Sequence, residues 1–253
     1  MSIVVNSNIP SLMAAHHSRT TRDGLETAME RLSSGRRINS ADDDAAGAGI
    51  AARVRGEKAA TDMAMRNAAD VISMAQIGEA ATVEIENMLI RIKELAVQRA
   101  SDTYKSTDQA LIKLEIDALN AEITRIETDT QWNGVAIVAA VTTVISTDGS
   151  TDDITLDAIA VSTATTVGDV DTALGEVDDI RANFGAAINR MEYTINNLSN
   201  ISANLAAAHS RLMDTDYAAE SANVAKGQVL QQAGAAMLAQ ANASTQYVLQ
   251  LLR

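Results

Sequence analysis

The stretch Met74–Leu95, MAQIGEAATVEIENMLIRIKEL, decides the fold. Met74, Ile77, Ala81, Ile85, Met88, Ile92 and Leu95 recur at steps of three and four. That spacing lines one face of a helix and, held over several turns, makes a heptad seam. A weaker stripe through Met65, Ala68 and Ile72 extends it backwards, so the pattern predicts one helix over about 45–99.

Two further stripes lie outward from this one. Ile112, Ile116, Leu119, Ile123 and Ile126 repeat the spacing after the polar link SDTYKSTD, which predicts a shorter helix folding back on the first. Phe184, Ile188, Met191, Ile195, Leu198, Ile201, Leu205 and Leu212 form a third stripe. Burying a large aliphatic side chain contributes roughly 1.5–3 kcal/mol, so each seam needs the others to cover it. The predicted fold class is mainly α, a long antiparallel helical bundle or coiled coil. A small β-hairpin element is expected in the middle of the chain, about 131–170. There Asn-Gly, Asp-Gly and β-branched runs replace the helical period, and no basic residue occurs.

Composition agrees with narrow seams rather than a wide core. Hydrophobic residues reach 47% of the 253, but aromatics only 2%, and Ala supplies much of the remainder. One proline and thirteen glycines leave few helix breakers. The net charge of −13 is uneven: residues 1–37 and 217–253 are slightly basic, and the middle is strongly acidic. Such a surface is solvated and self-repelling, and it excludes nucleic acid as a partner. There is no cysteine, hence no disulfide or thiolate chemistry. The first residues do not form a secretory signal, and no run reaches the roughly 18 apolar residues of a membrane span.

The ends of the chain differ from its middle. Leu12, Leu25, Met29 and Leu32 at one end, and Val229, Met237, Val248, Leu249 and Leu252 at the other, are apolar positions in Ala- and Gln-rich helical sequence without a strong seam. Isolated helices of this kind are marginal in water. Both ends are expected to be disordered in the monomer and to order on pairing with each other and with neighbouring chains.

Candidate sites of chemistry give little. His16 and His17 are adjacent and His209 stands apart, without the i, i+4 spacing of a two-His metal site. Asp42, Asp43 and Asp44 lack the alternating oxygen ligands and distal Glu of a calcium loop. Their expected role is local, with Ser40 and Asp43 as a capping box for the following helix, and Gly35 allowing a turn. Asn197, Asn200 and Asn242 match the N-glycosylation pattern but fall in predicted helices, whereas Ser and Thr at 142–166 are accessible candidates for O-linked sugar. No catalytic residue, metal or cofactor is expected.

ERLSSGRRINSADDDAAGAGIAARV, RNAADVISMAQIGEAA, IRIKELAVQ and TQWNG resemble, in order, the N-terminal region shared by bacterial flagellins. NRMEYTINNLSNISANLAAAHSRLMDTDYAAE and QVLQQAGAAMLAQANASTQYVLQLLR resemble the C-terminal region. Together they cover about 1–134 and 180–253. The resemblance implies a structural, non-enzymatic homopolymer subunit of the flagellar filament, exported without a cleaved signal peptide to the cell exterior. It implies an export chaperone, a filament cap and hook-associated junction proteins as partners, without membrane insertion. It divides the chain into terminal helices at 1–43 and 213–253 pairing as an inner coiled coil, a helical bundle at 44–130 and 171–212, and a short variable tip at 131–170. Gly35, Arg36, Arg37, Ser40, Asp42, Asp43 and Asp44 fall in the connecting spoke. Arg91, Leu95 and Glu115 match the surface recognised by the vertebrate Toll-like flagellin receptor, which also serves subunit contact. Asp42, Arg36 and Trp132 depart from common family residues, and NASTQYV lacks a frequent proline. A hook-filament junction protein is the nearest alternative. A peripheral membrane protein with amphipathic ends is the alternative from another class, although such ends are ordinarily richer in Lys and Arg.

Overall fold

The computed structural model describes residues 7–137, 156 and 158–251, with side chains to residue 244. Among these residues the chain is mainly helical, with α1 (Ile9–Ser34), α2 (Ala45–Arg99), α3 (Ser106–Asp129), α4 (Val167–Met213) and α5 (Tyr217–Leu251). Between α3 and α4 lies a two-stranded antiparallel sheet, β1 (Gln131–Trp132) and β2 (Val135–Ala136). Asn133 and Gly134 join the strands with φ of 49° and 78°. Positive φ at both turn positions gives the hairpin a twist that suits its strands, and Asn-Gly reaches it at low steric cost. The second expected turn, Asp148–Gly149, and the 142–155 part of the hydroxyl-rich tract lie outside the described residues.

Two compact units form, residues 56–204 and residues 1–55 with 205–253. By sequence the first holds ten Lys and Arg against 24 Asp and Glu, a net −14, and the second ten against nine, a net +1.

In the 56–204 unit, α2 and α4 run antiparallel, as the bonds Lys93–Asp171 (2.6 Å), Arg181–Glu86 (2.5 Å) and Ser202–Asp62 (2.8 Å) require. The buried line of α2 is Thr61, Ala64, Ala68, Val71, Ala75, Gly78, Thr82, Ile85, Leu89, Ile92 and Ala96, an unbroken alternation of three and four. Facing it on α4 are Val170, Ala173, Val177, Ile180, Phe184, Ala187, Met191, Leu198 and Ser202. The expected seams are therefore present but rotated. Ile85, Ile92, Met74 and Leu95 are buried as read, whereas Ile77 and Ile201 are each 37% exposed, and Ala81 and Met88 only flank the core.

Phe184 is the reason for the rotation. It is the single phenylalanine of the chain and is fully buried, and a Cβ built on Gly78 would lie 2.7 Å from its Cζ and 2.8 Å from its Cε2. Close packing leaves no slack for such an overlap. The seam turns so that Gly78, not the bulkier Ile77 or Ala81, meets the ring.

Side chains of the bundle hold the segment entering α4. Asn120, itself buried, donates to the Ala164 carbonyl at 2.8 Å and accepts from its N–H at 3.2 Å. Glu127 accepts from Val161 N–H at 2.7 Å and Glu176 from Ser162 N–H at 2.8 Å. Burial pushes the Glu127 carboxyl up, partly opposed by the Val161 N–H. Helix α4 then starts through a reciprocal box: Thr166 Oγ1 accepts from Asp169 N–H at 3.3 Å, and Asp169 accepts from Thr166 N–H at 2.9 Å.

Replacing Gly78 with Val is expected to destabilise the 56–204 unit by about 1–3 kcal/mol through overpacking, and Phe184→Ala by about 3–5 kcal/mol through the cavity left behind. Denaturant unfolding followed by helical circular dichroism measures both. Equal stability of G78V and the parent would show that the ring does not fix the seam.

Candidate assembly face of the terminal helix pair

The remaining unit is built on α1 and α5, which run antiparallel. Asn8 caps α1 by accepting from Ser11 N–H at 3.1 Å, and its Nδ2 donates to the Ala241 carbonyl at 3.1 Å. Pro10 suits the first turn of α1, where its missing N–H costs nothing. Gly35 ends α1 in the left-handed region at φ 71°, a conformation that disfavours any side chain. A Cβ there would also lie 2.9 Å from the Tyr217 hydroxyl. Asp216 caps α5, accepting from Ala218 N–H at 2.9 Å and Ala219 N–H at 3.2 Å.

The positions of α1 turned to α5 are small except for Leu25 and Leu32: Ser11, Ala14, Ser18, Thr21, Leu25, Ala28 and Leu32, again at alternating steps of three and four. On α5 they meet Gly227 and Gly234 among others. Leu25 packs directly on Gly227, where a Cβ would lie 3.2 Å from Leu25 Cδ1, and Gly234 leaves space beside Ser18. A narrow seam lets two helices approach closely, but it points their bulk elsewhere. Leu12 is 67% exposed, Val229 65% and Met237 62%, and Ile9, Met13, Met29, Leu230 and Tyr217 are also exposed. Of the apolar residues expected to build an inner coiled coil, only Leu25 is buried within this pair and Leu32 half-buried. Leu12, Met29, Val229 and Met237 face outward, and the side chains of Val248, Leu249 and Leu252 lie outside the described residues.

The connecting loops are tied across each other. Arg36 and Asp214 form an antiparallel bridge, with Arg37 N–H on the Met213 carbonyl at 2.6 Å and Thr215 N–H on the Gly35 carbonyl at 3.1 Å. The Arg37 guanidinium reaches the Leu212 carbonyl at 2.8 Å. At the centre is a residue that sequence reading assigned no role: Arg31, paired with Glu220 at 3.1 Å and Asp43 at 3.7 Å. Glu220 is buried and also accepts from Asn223 at 2.8 Å. The small-residue heptad of α1, with Arg31 at its polar end, was the signal available in the sequence.

The aspartate triplet divides its work. The expected capping box of Ser40 and Asp43 is corrected. Asp43 Oδ2 accepts from Asn39 N–H at 2.9 Å and Ser40 N–H at 3.1 Å, which closes a turn, and the helix begins only after Asp44. Asp44 is the cap, accepting from Gly47 N–H at 2.8 Å. Asp42 is exposed and makes no ion pair among the described residues. The Ser40 and Asn39 N–H groups, then Arg31, hold the Asp43 carboxyl below its ordinary range, and Asn223, then Arg31, do the same for Glu220.

Elsewhere, Arg91 is exposed and bonded to Glu94 at 2.9 Å and Glu115 at 3.0 Å. Leu95, expected on the same surface, is instead 3% exposed, because its position on α2 faces the bundle core. Among the described residues no group of acidic and histidine side chains could hold a metal ion.

Residues 5–143 match the family model for the bacterial flagellin N-terminal helical region, and residues 167–252 the model for the bacterial flagellin C-terminal helical region. The flagellin of Halalkalibacterium halodurans is 39% identical over 272 residues, which cover 99% of this chain and 100% of that protein. The flagellin of Bacillus subtilis is 35% identical over 304 residues, covering 98% and 99%. The flagellar filament 33 kDa core protein of Treponema phagedenis is 33% identical over 286 residues, covering 99% and 100%.

Glu220 and Asp43 have folded-state values below their ordinary 4.5 and 3.8, so they stabilise the terminal pair above those values, and the stabilisation is lost as pH falls through the lower folded values. In the assembled polymer, the protection of α1 and α5 amides relative to their intrinsic exchange rate is expected to fall on acidification below about pH 4, and less so in Glu220→Gln. An unchanged acid response in that variant would remove Glu220 from the pair's stability.

Proposed function

We propose that this chain, which belongs to the bacterial flagellin family, polymerises by covering the outward apolar faces of α1 and α5 with those of further copies. It is a structural subunit of the flagellar filament, not an enzyme. The single observation that carries the assembly reading is the exposure of Leu12, Met29, Val229 and Met237 on a helix pair whose internal seam is made of small residues. Exposed apolar side chains grouped on one face mark a site of association. Each of these side chains gains about 1.5–3 kcal/mol on burial, which a second copy with the same face supplies. In the free chain the pair is held by its narrow seam, the Arg31 ion pairs and a few hydrogen bonds, so α1 and α5 lose order when alone and gain it in the polymer.

Assembly takes place outside the cell, after export without a cleaved signal. Among the described residues no helix is long and apolar enough to cross a membrane. The chaperone, cap and junction proteins would meet the same terminal segments. Recognition by the vertebrate Toll-like receptor is a separate reading. It rests on the exposed Arg91–Glu115 pair and not on Leu95, and loss of receptor-cell activation in Arg91→Ala monomer tests it.

Removal of residues 217–253 is expected to leave a soluble helical chain that forms no filaments, scored by electron microscopy and sedimentation. Leu12→Ser with Met237→Ser is the finer probe. It leaves the α1–α5 seam intact and should raise the chain concentration needed for polymerisation by tenfold or more, as about 1.4 kcal/mol of lost burial per tenfold requires. Filaments forming at the parent's concentration would overturn the reading.

A further inference from the structure

Beside the crossed loops is a cleft of about 180 Å³ lined by Arg36, Arg55, His209, Asn39 and Ser40 over an alanine floor. Its cations belong to the set without a carboxylate partner among the described residues, which also includes Arg19, Arg53, Arg190 and Lys226. Arg31 and Arg37 nearby are both engaged, and in the acidic unit Lys58, Arg91, Lys93, Lys113, Arg125 and Arg181 all have carboxylate partners. The side chains of Arg36 and Arg55 and the His209 ring have no hydrogen-bond or ion-pair partner among the described residues.

The loop's own acids are used elsewhere. Asp43 holds Arg31 and the turn, Asp44 caps α2, and Asp214 accepts the Ser210 hydroxyl at 2.6 Å. Two guanidinium groups converging on a cleft with further polar groups favour an oxygen anion, since a guanidinium fork fits a carboxylate in two parallel bonds.

We infer that this cleft binds a carboxylate side chain of a second copy of the chain, so that Arg36 and Arg55 form an inter-subunit ionic contact. The inference rests on the polymer reading above. It commits to a second copy because each copy carries a unit of net −14 and a unit of net +1. Identical chains in regular array therefore bring surplus carboxylates to the surplus cations at high effective concentration. A free anion would meet only two exposed charges, screened at physiological salt. The apolar faces of α1 and α5 drive association; the cleft fixes the register of one copy on the next, where a like charge is rejected.

The experiment uses full-length chain. In R36E/R55E the concentration needed for polymerisation is expected to rise about two- to thirtyfold at low salt and to approach the parent's at high salt, while R36K/R55K, which keeps the charge and loses the fork, lies between the parent and R36E/R55E. Filaments of R55K, grown from mixed isotope-labelled and unlabelled chains, are then treated with carbodiimide. Mass-mixed peptides joining position 55 to an Asp or Glu of another copy are the expected result. Polymer that forms with only same-chain links at position 55, or links abolished by millimolar inorganic phosphate with filaments unaffected, would overturn the inference and leave the polymer reading standing. Failure of the parent to polymerise would overturn both.

Discussion

The close approach of α1 and α5, with Leu25 laid on Gly227, is the constraint on which the assembly face depends. Helices meet at short distance only where side chains are small, so Ser11, Ala14, Ser18 and Thr21 take the inside of the pair. A helical residue adjacent to a seam position is turned by about 100° from it. Leu12 and Met29, one step from Ser11 and Ala28, are thereby directed outward by geometry. The apolar residues are not a failed core. They are left uncovered within one chain.

The acidic unit uses the same rule with the opposite result. Gly78 receives Phe184, and the seam residues of α2 and α4 close on each other within the chain. One unit has a continuous apolar line buried from Ala64 to Leu95, although Leu111 and Leu114 of α3 stay exposed, and the other is held by a narrow seam and by Arg31. Charge follows this division. The bundle unit carries the net −14, which favours solvation, and the unit of α1 and α5 is near neutral, which lowers the repulsion that association would otherwise meet.

Much of this was legible in the residues. Steps of three and four over Met74–Leu95 gave the long helix, Asn133-Gly134 gave the turn, and the quoted blocks gave the family. Thr166-Val-Gly-Asp169 is a capping box that could have been found by the same rule that was applied, wrongly, to Ser40 and Asp43. The two motifs have the same spacing. They differ in whether the chain between them turns or continues into a helix, and that depends on Arg31 reaching Asp43 and on the bridge from Arg36 to Asp214.

By itself the sequence determined the helices, the hairpin turn and the family, because these follow from local periodicity, backbone preference and contiguous motifs. Only the tertiary structure decided which side of each helix is the seam. A stripe of aliphatic residues marks a face to about one position, and the final rotation is set by a partner's bulk: Phe184 turned α2 toward Gly78, and Gly227 turned α1 toward Leu25. For the same reason Leu95 lies in the core while Arg91, four residues away, is on the surface.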